Sequence, residues 1–411
     1  MTDNAEHFEE FHGQTRLKHF ILESYLETWA RISLQQGVHP AAWFIDAFAG
    51  EGKDEHGNAG SPIIACRVSR RLAGYLAERL QPPVPQLNIV AIEHRKKTFD
   101  ALKAATFAFT QSVGGNCLQL RKGKLEQFLE EIMAMGLIND PKLFFLDPFG
   151  MQGLDASVVQ KVLQRSKYEL LALFCDSGAV RLDGAAQAQT RQRATRSLIS
   201  DTQNGDLFDV LGPTIPTAHT SDNLAPDDAS EPPATEVILR AAFANRFESV
   251  RRAVEMSPVN GRRATWMREY VAALRAWGAT HVLSFSVVDE REHHKYYLVH
   301  AAKNAKAISA MKDAIRSATN QRARQPGHQT AMLYASTVNV QDVLAALAKH
   351  FVGEDVRWHN VNDIHTVQQF LLRETDALHS DLPVIKTALR TKGWLVTAKP
   401  ATYRFPILSS N

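Results

Sequence analysis

Residues 44–52 read FIDAFAGEG, an apolar run that ends in Asp46 and continues into a loop with two glycines, Gly50 and Gly52. The apolar residues predict a buried strand. Because glycine has no Cβ, such a loop lets backbone N–H groups come close to a ligand at the carboxyl end of the strand. Asp46 would repel a phosphate, and it suits a cationic or hydroxyl-bearing ligand better. The stretch therefore predicts a ligand site in an α/β sheet.

Two better-known glycine loops do not fit this stretch. A phosphate-binding loop, GxxxxGK[ST], would need glycine at 47 and serine or threonine at 54, where this sequence has Ala47 and Asp54. A dinucleotide fingerprint would need a third glycine, and the next helix start, at Ser61-Pro62, comes too late. A tight turn with a purely structural role remains as an alternative.

Acidic residues also end two later apolar runs. Glu93 follows the run 87–92, a place where a carboxylate accepts hydrogen bonds from ribose hydroxyls in nucleoside-binding sheets, although many exposed strands also end in glutamate. Asp147-Pro148-Phe149 follows the run 142–146. Asp147 and the Pro148 carbonyl are suited to accept hydrogen bonds from an exocyclic amine while Phe149 stacks on a base. The alternative is an Asp-Pro turn with a core phenylalanine.

Strands and helices alternate along the first part of the chain, which predicts a parallel, doubly wound sheet. The predicted strands are 41–46, 87–92, 117–120, 142–146 and 169–174, and the predicted helices are 15–36, 63–79, 98–106 and 125–135. Residues 181–263 interrupt this rhythm with a Pro-, Ser- and Thr-rich centre, 212–235, between helical flanks at 185–199 and 236–254. After a helix at 265–277, strands 281–288 and 295–301 are joined so closely that they must be antiparallel, and a helix then leads through Met311.

Together these features resemble a class I S-adenosylmethionine-dependent methyltransferase. FIDAFAGEG is similar to that family's first motif, Glu93 to its second-strand acidic residue, and Asp147-Pro148-Phe149 to the catalytic motif of amino-methyltransferases. The resemblance implies a Rossmann-like seven-stranded sheet with an antiparallel terminal hairpin and S-adenosyl-L-methionine as cofactor. Its binding residues would be Asp46, Phe48, Gly50, Gly52, Glu93 and Asp147. DPFG replaces the usual DPPY, as is typical of tRNA guanine-N2 methyltransferases.

A closer resemblance, to the three-Cys-motif partner protein family, spans nearly the whole chain. It is carried by a first helix with Lys18 and Trp29, by FIDAFAGEG, by Gly60-Ser61-Pro62 and by FFLDPFG at 144–150, together with Tyr296-Tyr297-Leu298 and Met311-Lys312. The resemblance implies a separately encoded partner with three cysteines. The insertion at 181–263 departs from the family pattern.

The last part of the chain has three helix candidates, 340–351, 367–373 and 382–391, followed by a small hairpin, which is the pattern of a winged helix. We therefore predict two domains, 1–330 and 336–411. No acidic residue follows Asp381, and the basic residues predicted to bind nucleic acid are Lys386, Arg390, Lys392, Lys399 and Arg404. A winged helix that docks a protein is the alternative.

Composition bounds these expectations. The 411 residues carry 47 Lys and Arg against 44 Asp and Glu, so any basic surface must be local. The three cysteines, Cys66, Cys117 and Cys175, form no metal or disulfide motif and are predicted to be buried thiols. His293-His294 lacks further ligands and is predicted to be a solvated turn, so no metal site is expected. An acidic N-terminus and the absence of a long apolar run predict a soluble, cytoplasmic protein without a membrane partner.

The sequence therefore predicts a methyltransferase that acts on an exocyclic amine of a base in DNA or RNA. Asp147, Pro148 and Phe149 would form the catalytic set. Two other functions stay open. The chain could be a non-catalytic adaptor on a methyltransferase fold, or it could methylate a protein or small molecule with the winged helix docking a partner.

Overall fold

A computed structural model describes residues 2–54, 56–110, 117–148, 150–203, 233–288, 294–323, 340–358, 366–374, 382–398 and 400–406. The strands of its larger sheet are β1 (Ala41–Asp46), β2 (Gln86–Glu93), β3 (Leu118–Lys122), β4 (Lys142–Leu146), β5 (Tyr168–Phe174), β6 (His281–Val288) and β7 (His294–Ala302). The helices around it are α1 (Thr2–Leu34), α2 (Ser61–Ala77), α3 (Lys96–Thr110), α4 (Leu125–Ala134), α5 (Ala156–Gln164), α6 (Asp176–Gln203), α7 (Ala234–Phe243), α8 (Phe247–Glu255), α9 (Arg262–Ala276) and α10 (Ala305–Ala323).

The seven strands lie in the order β3-β2-β1-β4-β5-β7-β6. The first five are parallel, and β7 is antiparallel to both β5 and β6. This confirms the predicted α/β sheet with an antiparallel hairpin at its end. The strand order reverses between β1 and β4, and ligands in such sheets bind at this point, outside the carboxyl ends of the strands. We call this side of the sheet the carboxyl edge.

Helices cover both faces of the sheet, so its central strands are buried on both sides. In β1, Phe44 packs toward α1, α2, α3 and α10, while Ile45 packs toward α4, α5 and the helices α7 to α9. Both side chains are fully buried. This explains why β1 reads as a continuous apolar run rather than as an alternating one.

The second flank of the predicted insertion belongs to the core of this domain. In α7 and α8, Leu239, Phe243, Phe247 and Val250 are buried in the same cluster as the strand residues. The predicted helix 236–254 is divided because Ala244 takes a φ of +49°, which ends α7. Most of the predicted loop 212–235 lies outside the described residues. Helix α5, which the sequence analysis did not identify, links β4 to β5.

The C-terminal elements form a second, smaller core. They are α11 (Val340–His350), β8 (Asp355–Arg357), α12 (Val367–Glu374), α13 (Leu382–Thr391), β9 (Leu395–Ala398) and β10 (Ala401–Arg404). The three strands form an antiparallel sheet in the order β8-β10-β9. Leu347, Ile385 and Tyr403 are fully buried in this core. The three helices and the hairpin are therefore present as predicted, whereas β8 was not predicted.

Among the described helices, none combines the length and the apolar character needed to cross a membrane.

Candidate functional site

Asp46 ends β1 at the carboxyl edge and is completely buried. Its Oδ1 accepts a hydrogen bond from the Phe48 amide at 3.3 Å, while its Oδ2 has no hydrogen-bond partner among the described residues. Burial above all, together with the charge of Asp147, raises the pKa of this carboxyl to about 7, against the opposing effects of hydrogen bonding by Ser61 and the Phe48 amide and of the Lys18 charge. A buried carboxylate with a free oxygen is suited to a cationic hydrogen-bond donor.

The loop after Asp46 depends on its two glycines. Gly50 has a φ of +62° and Gly52 a φ of +77°, a region that other residues rarely adopt. A Cβ on Gly52 would also lie 3.0 Å from Leu102 Cδ1. No atom would lie within 4 Å of a Cβ on Gly50, so that position faces open space. The positive φ of both glycines therefore sets the conformation of the loop, with Gly50 partly exposed and Gly52 buried against α3.

A cavity of about 480 Å³ opens between this loop and the ends of β2 and β3. Glu93 lines it and is almost fully buried; its Oε1 accepts a hydrogen bond from the Arg95 amide at 2.7 Å. Phe48 forms another wall. Because a Cβ on Gly153 would lie only 2.3 Å from Phe48 Cζ, the Phe48 ring packs directly on the backbone of the β4–α5 loop. Of the predicted cofactor residues, Phe48 and Glu93 line this cavity, and Asp46 lies directly before Ala47, which also lines it; Gly50, Gly52 and Asp147 are not among its lining residues.

The loop between β3 and α4 contributes residues that the sequence analysis missed. Gly123, Lys124 and Glu126 line the same cavity, and the Gly123 amide donates a hydrogen bond to the Glu93 carbonyl at 3.1 Å. The predicted third strand stopped at residue 120, whereas β3 continues to Lys122. The feature that marks this loop is its position at the carboxyl end of a parallel strand. That position can be recognised in the sequence only when the end of the strand is predicted correctly.

Asp147 follows β4 and forms an ion pair with Lys18 of α1. The side chains are 13% exposed for Lys18 and 19% for Asp147, so the pair is largely shielded from water. Beside it, burial and the Lys18 charge lower the pKa of His19 to about 4, which keeps that ring neutral at pH 7. Pro148 is buried, and Phe149 lies outside the described residues. The structure therefore adds a cation to the predicted Asp147 site.

A second acidic centre lies at the end of β5. Asp176 is buried, and it accepts hydrogen bonds from Arg263 Nε at 2.8 Å and from His294 Nε2 at 2.9 Å. Burial alone would raise the pKa of Asp176, but these two partners hold it below its usual value. The other nitrogen of His294, Nδ1, lies 2.7 Å from Ser286 Oγ.

His294 was predicted to lie in a solvated turn. The structure corrects this, because both ring nitrogens of His294 lie within hydrogen-bond distance of a partner, Asp176 and Ser286. His293 lies outside the described residues. The carboxyl end of β5 was the available signal for Asp176. Its partners on α9 and β7 are distant in sequence and could not be assigned from it.

Two of the predicted nucleic-acid residues, Lys386 and Arg390, lie on α13, and Lys392 directly follows its end. Arg390 and Lys392 are exposed, and Lys386 Nζ lies 5.2 Å from the centre of the Trp358 ring. Arg404 differs from the expectation, because it forms a two-pronged ion pair with Asp355 of β8 at 2.7 and 2.8 Å. Although no acidic residue follows Asp381 in the sequence, Arg404 therefore has an acidic partner in the structure. Lys399 lies outside the described residues.

No protein-family model and no characterised protein sequence matches this chain. Several solved structures align with this chain at low scores. Protein LPL1258 from Legionella pneumophila, of the family DUF519, has 9% identity and a TM-score of 0.37, covering 75% of this chain and 91% of that one. The O-methyltransferase TomG from Streptomyces achromogenes, in complex with S-adenosylmethionine, has 13% identity and a TM-score of 0.30, covering 69% and 79%.

An O-methyltransferase from Bacillus cereus, in complex with S-adenosylhomocysteine, has 9% identity and a TM-score of 0.31, covering 68% of this chain and 80% of that one. These similarities are distant, so the site is interpreted from this chain's own residues.

Proposed function

We propose that this protein is an S-adenosylmethionine-dependent methyltransferase that acts on an exocyclic amine of a base in nucleic acid. One observation carries the proposal. Three acidic residues, Asp46, Glu93 and Asp147, end β1, β2 and β4 at the same edge of the sheet, around the point where the strand order reverses. An adaptor would have no need of all three.

The cavity fits the proposed cofactor. Asp46, whose Oδ2 accepts no hydrogen bond from a described residue, lies directly before the cavity residue Ala47 and is suited to the ammonium group of the methionine part; the loop with Gly50 and Gly52 continues from there. Glu93 is suited to accept hydrogen bonds from the ribose hydroxyls of the cofactor, and Phe48 presents an apolar wall to the cofactor's base. When bound, S-adenosylmethionine supplies a methyl group that the positive sulfonium has already activated. The protein's own task is then to hold the acceptor at near-attack distance.

Asp147 is proposed to accept a hydrogen bond from the acceptor amine and to orient its nitrogen. It lies two residues beyond Phe145, the partner of Asp46 in the β1–β4 register, so it is close to the cofactor end of the sheet. Pro148 stiffens the turn, and Phe149 is proposed to stack on the base. A base inside a duplex would first have to be flipped out.

The C-terminal unit, 336–411, is proposed to be a winged helix that binds the nucleic acid. Its order of helix, strand, two helices and hairpin, with a three-stranded antiparallel sheet, supports this reading. Lys386 and Arg390 lie on α13, the helix that would contact the groove or its phosphates, and Lys392 directly follows its end. The same unit could instead dock a protein partner, such as the three-cysteine protein that the sequence resemblance implies.

Calorimetry with S-adenosylmethionine and S-adenosylhomocysteine tests the first half of this proposal. We expect micromolar binding, about −8 kcal/mol, that is lost in Asp46→Ala and kept in Asp100→Ala, a control on the exposed side of α3. Absence of binding at millimolar concentration would refute the methyltransferase.

Incubation with radiolabelled donor and separate DNA, RNA and protein pools tests whether the acceptor is nucleic acid. Label in a nucleic-acid pool is expected. Binding without any transfer would favour an adaptor, and label only in protein would move the acceptor to another class.

A further inference from the structure

The Lys18 ammonium has more hydrogen-bonding capacity than its surroundings use. It carries three N–H donors, and Asp147 is its one hydrogen-bond partner among the described residues. The Lys18 side chain is 13% exposed, so most of it is shielded and only a small part of it reaches water. Donors left unpaired in a shielded place are costly, which indicates that another acceptor belongs beside Lys18.

Lys18 is held in place by a rigid helix. Helix α1 packs against α2 and α10, and Leu17 and Ile21 on either side of Lys18 are fully buried. About two turns further on, the Tyr25 hydroxyl contacts Glu169 of β5 and lies 3.0 Å from His300 Nε2 of β7. Lys18 is therefore unlike a surface lysine, because its backbone cannot swing away from the carboxyl edge.

Asp147 has matching spare capacity. Its Oδ2 faces the Lys18 ammonium, while no hydrogen bond to its Oδ1 is found among the described residues. The pair also influences the pKa of Asp46 through charge, so all three groups lie within electrostatic range of one another. With the ion pair intact, Lys18 keeps N–H donors and Asp147 keeps an oxygen that no described residue uses.

We propose that Lys18 and Asp147 together read the amidine edge of the acceptor base, with Lys18 donating to the unprotonated ring nitrogen that neighbours the exocyclic amine. This rests on the proposed function and narrows its substrate. Asp147 accepts from the amine, and Lys18 supplies the donor that the adjacent ring nitrogen requires. Adenine (N6 beside N1), cytosine (N4 beside N3) and guanine (N2 beside N3) carry this edge. A simple alkyl amine or hydroxyl does not.

The consequence is a specificity that a mere counter-ion would not create. A site built to donate to a ring nitrogen leaves its donor unpaired when that nitrogen is replaced by C–H, and such sites reject the altered base strongly. By comparison with two-point contacts to bases, we expect a preference on the order of 10- to 100-fold for the natural base. If Lys18 only neutralised Asp147, replacing Lys18 would leave the preference for the natural base over its analogue unchanged.

The test uses the full-length protein and single-stranded oligonucleotides that carry one target base or its deaza analogue: 1-deazaadenine, 3-deazacytosine or 3-deazaguanine. The ratio of kcat/KM for the natural base to that for its analogue is measured for wild type, Lys18→Met and Lys18→Arg. Arg16→Met is the matched control, an exposed cation on the same helix. Fluorescence anisotropy without donor gives the dissociation constants of the same oligonucleotides, and thermal unfolding verifies that each variant is folded.

We expect wild type and Arg16→Met to prefer the natural base, Lys18→Met to lose that preference in both kinetics and binding, and Lys18→Arg to keep part of it. A ratio in folded Lys18→Met equal to that of wild type would overturn the role of Lys18 while leaving the methyltransferase intact. Failure of wild type to methylate any of the natural bases would refute the amine-methyltransferase itself, and the inference with it.

Discussion

Asp46 and Asp147 end two neighbouring parallel strands, and the charge of Asp147 adds to burial in raising the pKa of Asp46 to about 7. Two carboxylates at one edge of a sheet would repel each other if both were charged and unpaired. Lys18 offsets this repulsion by pairing with Asp147. Asp46 is thereby left as the group whose charge changes near neutral pH, and it is the group proposed to hold the cation of the cofactor.

Cofactor affinity should therefore depend on pH through Asp46. Below pH 7 this carboxyl is protonated and cannot attract the ammonium group, so we expect the affinity for S-adenosylhomocysteine to rise as pH increases toward 7. At still higher pH the ligand's own amine loses its proton, so the affinity should fall again. Calorimetry across pH 5 to 9 measures this profile. Asp46→Asn should be weak throughout and lack the rising limb; an unchanged rise in that variant would assign it to another group.

The same shift makes a prediction for stability. Because the folded pKa of Asp46 lies above its ordinary value of 3.8, the folded state keeps this proton between pH 3.8 and 7 while the unfolded state loses it. The Asp46 contribution is therefore greatest at low pH, declines as pH rises to 7 and is constant above. Urea unfolding at several pH values should show a smaller decline over this range in Asp46→Asn than in wild type.

Asp147→Asn should separate cofactor binding from methyl transfer. The amide keeps the shape of the side chain but can turn its NH₂ toward the acceptor amine, and it no longer pairs with the Lys18 charge. We expect donor binding within a few-fold of wild type and transfer reduced on the order of 10²-fold or more. Single-turnover assays measure this, with Asp100→Asn on the exposed side of α3 as control. Transfer at the wild-type rate would exclude Asp147 from the reaction.

Gly153→Ala should disturb the cofactor cavity without touching a polar group. Its φ is +104°, and a Cβ there would lie 2.3 Å from Phe48 Cζ, so the Phe48 ring must move. We expect weaker binding of S-adenosylhomocysteine, by at least about tenfold if the ring forms a wall of the site. Gly184→Ala on α6 is the control, since nothing lies within 4 Å of a Cβ there. Equal affinity in both variants would place the cofactor away from Phe48.

The buried contacts of Tyr25 should contribute measurably to stability. Its hydroxyl joins α1 to Glu169 and His300, and all three groups are shielded from solvent. Tyr25→Phe leaves the partners without this hydroxyl, which we expect to cost about 1–3 kcal/mol in the free energy of unfolding. Tyr75→Phe, on the partly exposed side of α2, is the control. A change below about 0.5 kcal/mol in urea unfolding would contradict a tie between α1 and the sheet.

Asp355→Asn tests whether the C-terminal unit binds nucleic acid. The substitution releases Arg404 from its ion pair, so we expect tighter binding and a steeper salt dependence, by about one further phosphate contact. Asp100→Asn removes one acidic charge far from this unit and should leave the slope unchanged. Measuring the affinity for nucleic acid between 50 and 200 mM salt gives the slope for each variant. Identical slopes in wild type and both variants would favour a protein-docking role.

Local pattern was sufficient for much of the fold. The apolar run before Asp46 and the short link between β6 and β7 predicted the buried central strand and the antiparallel hairpin, because burial on both faces and a tight connection leave few other arrangements. The acidic strand ends at Glu93 and Asp147 were also visible, since parallel strands bring their carboxyl ends to one edge. Single elements and their ends were predicted less well. Helix α5 was not identified, and β3 extends to Lys122, beyond its predicted end at residue 120.

Pairing between distant residues was decided by the tertiary structure alone. Lys18 is 129 positions from Asp147 in sequence, and Asp176 meets Arg263 and His294 from two other elements. A sequence pattern carries the period of one helix or strand, but it holds no information on which faces meet after packing. The sequence therefore determined the sheet and the acidic ends of its strands, whereas tertiary packing decided which cations neutralise them, because that depends on where α1, α9 and β7 come to rest.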